Sequence, residues 1–362
     1  EVVTPPEGIV AYFRALAEAA PERTHLWQYG ETFQGRPLYM MAIGSAERMA
    51  ERTRIQEGLA RLAFPEGLSA SEEARLVAEL PVVTALVHSI HGNEISPAGS
   101  SMVTAYHLLA AQGDPDVERI LAESIVLIDP LQNPDGRARF IAGNLTSRAA
   151  TPDPDPVSAE RDEPWPGGRS NHYLFDLNRD WFIQSQPETQ GHSALIREWR
   201  PQVVVDSHEM GTDSSFFFPP EAQPLNPWIY PPILDARERF GRNTAGRFDQ
   251  AGLDYFTRET FDAFYPGYGD GWPAYFGAVS MTYEQGSSRG LLARRSSGEM
   301  LTYADTVKGH LTATLSTIET AARDREKLLS DFYAFHRDGI AGGRGAYVLS
   351  RSAAADPAAA DK

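Results

Sequence analysis

Pro81-Val82-Val83-Thr84-Ala85-Leu86-Val87-His88-Ser89-Ile90-His91-Gly92-Asn93-Glu94 sets a β-branched apolar run directly before two histidines and a glutamate. A run this short, opened by proline and closed by polar residues, predicts a strand buried on both faces. Three further runs repeat the pattern. Residues 125–128 lead into Asp129-Pro130-Leu131-Gln132-Asn133-Pro134-Asp135-Gly136, residues 203–205 into Asp206-Ser207-His208-Glu209, and residues 278–283 into Glu284. Apolar residues at helical spacing fill stretches between and beside them, at 97–112, 189–199 and 233–250. Strands alternating with helices predict an α/β fold, a three-layer α/β/α arrangement around a central mixed, largely parallel twisted sheet. In such sheets the binding crevice opens outside the carboxyl ends of the strands. All four polar words fall there.

Working outward, Ile9, Val10, Phe13, Leu16, Ala17 and Ala20 recur at helical spacing, and Pro21 closes that helix. Residues 25–44 read as a hairpin turning at Phe33-Gln34-Gly35-Arg36. Two segments carry no periodicity: 149–171, with five prolines and two glycines, and 216–232, with six prolines among aromatics. Loops this long in a compact domain usually form functional rims or disordered excursions. Toward the end, 301–337 predicts one long amphipathic helix, and 346–350 an isolated strand-like run. One catalytic domain is expected over 1–340, with 341–362 as a tail or as a linker toward a further domain.

The 362 residues are 42% hydrophobic and 23% charged, enough to bury a large core. A net charge of −16 argues against a nucleic-acid or phospholipid binder, which needs a concentrated basic face. No run approaches the roughly 18 apolar residues of a membrane span. Cysteine is absent, so disulfides, thiolate metal sites and cysteine nucleophiles are excluded. Any metal falls to His, Asp and Glu. The start at Glu1 suits a removed secretory peptide or a trimmed end, and a secreted or periplasmic location is expected ahead of a cytoplasmic one.

Within the strand-end words, His91 and Glu94 stand three apart around Gly92, spaced to aim both side chains at one point. With His208 they make a His₂Glu set, which suits zinc and leaves a fourth position for water. Taken alone, His-x-x-Glu is commonplace, and a lone strand-end histidine is usually a satisfied polar group. It is the convergence that points to metal. His88, the strand's last residue, reads as a core or supporting histidine, while His107, His172 and His192 lack partners at ligand spacing. In Asp176-Leu177-Asn178-Arg179-Asp180-Trp181, Arg179 and Asn178 suit the grip of a carboxylate, and Asp176 suits the free nitrogen of a metal-bound imidazole. The bland alternative there is a solvated loop with a surface ion pair. Glu284, after an apolar strand, reads as a general base or as an edge-strand charge paired with Arg289.

Together these words resemble the zinc carboxypeptidases of the carboxypeptidase A type, over about residues 5–337 and in a divergent, bacterial-type branch. The resemblance implies one Zn²⁺ per chain on His91, Glu94 and His208, and Glu284 as catalytic glutamate. It implies a terminal carboxylate held by Asn178 and Arg179, and matches the Asn133-Pro134-Asp135-Gly136 turn. An oxyanion-stabilising arginine is expected roughly fifteen residues after Asn133. Arg148 fits best, with Arg137 and Arg139 as rivals. A tyrosine is expected to cap the substrate, Tyr265 ahead of Tyr268. Glu209-Met210-Gly211 after His208, and the Pro-rich loops, depart from the digestive members. The implied activity is metal-dependent removal of C-terminal residues from peptides or proteins. Asp270 suits either a preference for a basic terminal residue or a cap on the turn at Gly269.

Two rivals stand beside this reading. Aspartoacylase-type amidohydrolases share a His-Gly-Asn-Glu word, an Asp-Leu-Asn-Arg word and a later Asp-x-His, but cleave N-acyl amino acids. Chain length, the Asn-Pro-Asp-Gly turn and the Thr282-Tyr283-Glu284 strand favour the peptidase. The other rival is a non-catalytic, zinc-containing binding domain, disfavoured because both the ligand set and Glu284 are retained.

Overall fold

The computed structural model describes residues 2–343. Seven strands form one mixed sheet: β1 (Thr24–Glu31), β2 (Pro37–Ile43), β3 (Val82–His88), β4 (Ser124–Asp129), β5 (Val203–Met210), β6 (Phe216–Phe217) and β9 (Val279–Gly286), in the order β1-β2-β4-β3-β5-β9-β6. The strands β4, β3, β5 and β9 run parallel, while β1, β2 and β6 are antiparallel to their neighbours. Two small pairs lie apart: β7 (Ala222–Leu225) with β8 (Asp262–Ala263), and β10 (Leu292–Arg294) with β11 (Met300–Thr302).

Strand parity explains the layers. Successive side chains leave opposite faces of a strand. Val82 and Leu86 of β3, Val126 and Ile128 of β4, and Val203 and Val205 of β5 enter one core. That core packs on α1 (Pro6–Ala19), α5 (Ser96–Ala110), α6 (Pro115–Glu123), α9 (Pro231–Ala251) and α10 (Tyr303–Arg323). Val83, Ala85, Ile125, Leu127 and Val204 enter the other, against α2 (Ala46–Ala50), α3 (Arg52–Ala63), α4 (Ala70–Glu79), α8 (Pro187–Trp199) and α11 (Arg325–Ala341). The three-layer α/β/α expectation is met. The remaining helix, α7 (Pro134–Ser147), starts at the strand ends and runs away from them.

Two expectations change. The helix read over 301–337 is broken at Asp324, which ends α10 and precedes α11. Glu284 lies within β9, which is flanked by β5 and β6, so it is no edge charge, and Arg289 instead lies 3.9 Å from Glu163. The run expected at 346–350 and most of the expected tail lie outside the described residues.

Candidate active site

The site is assembled where β3, β5 and β9 end. Parallel register sets His208 of β5 opposite Glu284 of β9, and His88 of β3 opposite Ser207. Beyond β3 the chain turns through Gly92, where a Cβ would overlap the Arg137 backbone nitrogen. The turn is therefore pressed against the start of α7. Asn133 caps that helix by accepting from Gly136 N at 2.9 Å, and its Nδ2 donates to the carbonyls of Ile90 and Arg169, each at 3.1 Å. One asparagine thus fixes both the metal-facing turn and the inner end of the Pro-rich loop.

His91, Glu94 and His208, all buried, bring ligand atoms together within 4.8 Å of one another. His91 Nδ1 lies 2.7 Å from Glu94 Oε1, His208 Nδ1 lies 3.0 Å from Glu94 Oε2, and the two Nδ1 atoms are 3.3 Å apart. Ligands about 2.0–2.1 Å from a tetrahedral zinc ion would be about 3.3 Å apart, so the donor set fits the metal. The far nitrogens are already engaged. His91 Nε2 is 3.0 Å from Asp176 Oδ1, and His208 Nε2 is 2.9 Å from Asp206 Oδ2. Carboxylates there hold each ring with its Nδ1 lone pair turned inward, which is how metal-binding imidazoles are usually oriented. Asp176 occupies the place expected of it. Asp206 was not foreseen.

The electrostatics suit a cation. Burial alone would raise the Glu94 pKa, but His91 and His208 hold its carboxyl well below the ordinary range. Burial would lower His208, yet Asp206 and Glu94 hold it well above. Glu284 is pushed up to about 8 by burial. His208 pulls it back, and Glu94 and Asp206 push it further.

His91, Glu94, His208 and Glu284 line a cleft of about 350 Å³, together with Arg169, Asn178, Arg179, Tyr268, Asp270 and Thr282. Arg179 lies half-exposed, its guanidinium 4.6 Å from the centre of the Tyr268 ring. Asn178 is buried; its Oδ1 accepts from Gly269 N at 2.7 Å, and its Nδ2 stands 3.3 Å from His208 Nε2. Gly269 is thus capped by Asn178, and the Asp270 side chain is left to line the cleft. Asp270 is raised to about 6 by burial, against the pull of Arg237.

The arginine expectation is corrected. Arg148 caps the far end of α7, and fourteen helical residues carry it about 20 Å from the turn that starts the helix. Arg137 is buried on the carbonyls of Thr4 and Ile95, and Arg139 is spent on those of Gly167, Ser170 and Asn171. In their place Arg169 reaches the cleft, beside Arg179. Its Nε and Nη2 donate to Asp176 Oδ2 at 3.1 and 2.9 Å, and its Nη1 stands 3.3 Å from His91 Nδ1. Glu163 steadies its loop, accepting from Asn93 Nδ2 at 2.8 Å and from Gly168 N. The choice of tyrosine also changes. Tyr265 folds over Gly267 and donates its hydroxyl to Arg179 O at 3.3 Å, so Tyr268 is the tyrosine lining the cleft.

The other histidines stay out of the cluster. His88 Nδ1 meets Asp129 O at 2.7 Å, His172 meets Gln34 at the surface, and His192 sits in the interior 2.9 Å from Asp129. His107 lines a groove elsewhere, with residues of α6, α9 and α10.

A sequence profile of the zinc carboxypeptidases matches residues 9–317. The chain belongs to the zinc carboxypeptidase family. It is a metallocarboxypeptidase, and the family's metal is zinc. Solved structures share the fold. A metallo-carboxypeptidase from Burkholderia cenocepacia is 15% identical with a TM-score of 0.57, the match covering 92% of this chain and 69% of that one. A metallo-carboxypeptidase from Pseudomonas aeruginosa is 13% identical at 0.56, covering 87% and 68%. Carboxypeptidase A from Helicoverpa armigera is 16% identical at 0.55, covering 92% and 74%. A search of curated proteins gave no match.

Proposed function

We propose that this metallocarboxypeptidase removes single residues from free peptide C-termini with Glu284 as general base. The supporting observation is that one cleft gathers a three-donor metal set, a half-buried carboxyl, Glu284, in register with His208, and two arginines. His91, Glu94 and His208 would hold the zinc. The chemistry supplied by bound zinc is acidification of a water molecule and polarisation of the scissile carbonyl.

The chain's own residues do the rest. Arg179, with the rigidly held Asn178, grips the terminal carboxylate through charge-assisted hydrogen bonds, and that grip restricts cleavage to the last peptide bond. Glu284, raised by its buried setting, takes a proton from the attacking water and returns it to the leaving amine nitrogen. Arg169 has one guanidinium edge fixed by Asp176 and the other facing the cleft, where it stabilises negative charge on the carbonyl oxygen. Tyr268 closes over the bound end.

The test is a peptide pool in which each member has a free and an amidated C-terminus, incubated with the zinc-loaded protein and read by mass spectrometry. Loss of single residues from free ends only is expected, falling about 10²–10⁴-fold in Glu284→Gln with zinc still bound. Shortening of amidated peptides at the same rate would sink the exopeptidase reading.

A further inference from the structure

Glu209, next to His208, marks one of the sequence's departures from the digestive enzymes, and the proposed chemistry gives it no part. It is buried, yet its carboxylate is fully engaged. Oε2 accepts from Ile95 N at 2.8 Å and from Ser287 Oγ at 2.7 Å. Oε1 accepts from Ser96 N at 3.1 Å and from Ser96 Oγ. Its backbone N–H donates to Glu94 Oε2 at 3.1 Å.

Those partners lie on three separate chain segments. Ile95 and Ser96 directly follow the ligand Glu94 and open α5. Ser287 directly follows β9 and stands three residues after Glu284. Glu209 itself extends the strand that carries His208. One buried carboxylate therefore joins the strand end bearing one imidazole, the turn bearing the other two donors, and the strand bearing the base. A carboxylate held by four donors satisfies backbone N–H and hydroxyl groups that would otherwise be costly to bury.

We propose that Glu209 is a positioning residue for the metal site: it sets the spacing of His91, Glu94 and His208, and keeps Glu284 in register with them. This rests on the assignment of those three residues as zinc ligands. An amide at this position cannot reproduce the arrangement. Ile95 N–H and Ser96 N–H approach different oxygens, so whichever way a glutamine lies, one backbone donor faces an NH₂ group. A hydroxyl can rotate to become an acceptor, but a backbone N–H cannot.

The test uses the whole protein stripped with a chelator. Zinc affinity is measured by competition with a chromophoric chelator, cobalt is then substituted and its visible spectrum recorded, and kcat and KM are measured on zinc-loaded protein. Glu209→Gln is expected to weaken zinc binding by about 10–100-fold, alter the cobalt spectrum and lower kcat while leaving KM near the wild-type value. Ser96→Ala combined with Ser287→Ala keeps the carboxylate and both backbone bonds, and should shift the same quantities in the same direction but less. That pair serves if Glu209→Gln does not fold. Unchanged zinc affinity and cobalt spectrum, with only a lowered melting temperature, would overturn the proposal. If wild type binds no zinc, or His91→Ala binds it as well as wild type, the ligand assignment fails instead.

Discussion

Two buried clusters of histidine and carboxylate sit close together in this protein, and only one is built to bind a metal. At the strand ends, two imidazoles and Glu94 converge from separate segments, and each ring is held from behind by its own aspartate. Deeper in, His192 of α8 meets Asp129, which also accepts from Tyr29 at 2.5 Å. Here a single imidazole faces the Asp129 carboxylate, and the second ring nearby, His88, meets only the Asp129 backbone carbonyl. The charges respond accordingly. His208 is held well above its ordinary pKa, whereas burial lowers His192 to about 4 and raises Asp129 to about 7. The same residue types become a cation site when lone pairs meet at one point, and a neutral core contact when they do not.

The sharpest way to break this comparison is to remove one histidine from each cluster. His91→Ala should bring bound zinc, measured by elemental analysis after dialysis, from one per chain to none. His192→Ala should leave zinc binding intact and lower only the melting temperature. If His192→Ala also strips the metal, the two clusters are not separate.

Next in size is the arginine substitution. Arg169→Ala should lower kcat by about 10²–10³-fold, as expected when a fixed donor to a developing oxyanion is lost. Arg148→Ala should leave steady-state kinetics unchanged. Equal losses in the two variants would mean that Arg169 acts only through the fold.

The smallest expected effect is on stability. Burial raises Glu188 to about 7, like Asp129, and Glu284 to about 8. In the unfolded chain these carboxyls ionise near their ordinary values. From about pH 7 until these carboxyls have lost their protons near about pH 9, the folded metal-free protein therefore binds more protons than the unfolded chain, and stability falls as pH rises. His208, raised by its carboxylates, contributes with the same sign. His88, His192, His310 and His336 are shifted down, so above that pH they are neutral in the fold and mostly neutral when unfolded. Calorimetry on chelator-treated protein should show a melting temperature that declines from about pH 7 to about pH 9. Glu284→Gln should remove part of that slope, and so should added zinc, whose charge lowers the pKa of nearby carboxyls. The part due to Asp129 and Glu188 should survive zinc and diminish in Asp129→Asn. A slope that vanishes entirely on zinc addition would tie the deeper cluster to the metal.

What the sequence revealed, and what it hid, follows from distance along the chain. His91, Glu94, His208 and Glu284 were legible because each lies at or just beyond a short apolar strand, and parallel strands bring such ends together. Asp176 was legible from its neighbours Asn178 and Arg179. Arg169 was not, because spacing alone pointed to Arg148, and a loop with five prolines separates α7 from the residue that returns to the cleft. The choice between Tyr265 and Tyr268 depended on how one ring folds over Gly267. Asp206 and Glu209 sat in plain view beside His208, but their partners are fixed by the register of β5 against β3 and β9. The break at Asp324 was hidden because both helices keep the same apolar rhythm.

The close approach of Gly92, Gly136 and Gly168 has a practical consequence for anyone who would redesign this scaffold. A Cβ on Gly136 would overlap the Gly168 carbonyl, one on Gly168 would overlap the Gly136 carbonyl, and one on Gly92 would meet the backbone of both Gly136 and Arg137. Three polypeptide segments mesh there like teeth, with no side chain between them to yield. Residues can be spliced into the Pro-rich loop around 149–151, where the chain is exposed, whereas from Pro154, whose carbonyl accepts from Arg294 N at 2.9 Å, to the buried Glu160 the loop is tied down. Lengthening the stretch from Gly168 to Asp176 would slip Arg169 out of its notch, so a library aimed at new specificities should vary the first part and leave the second untouched.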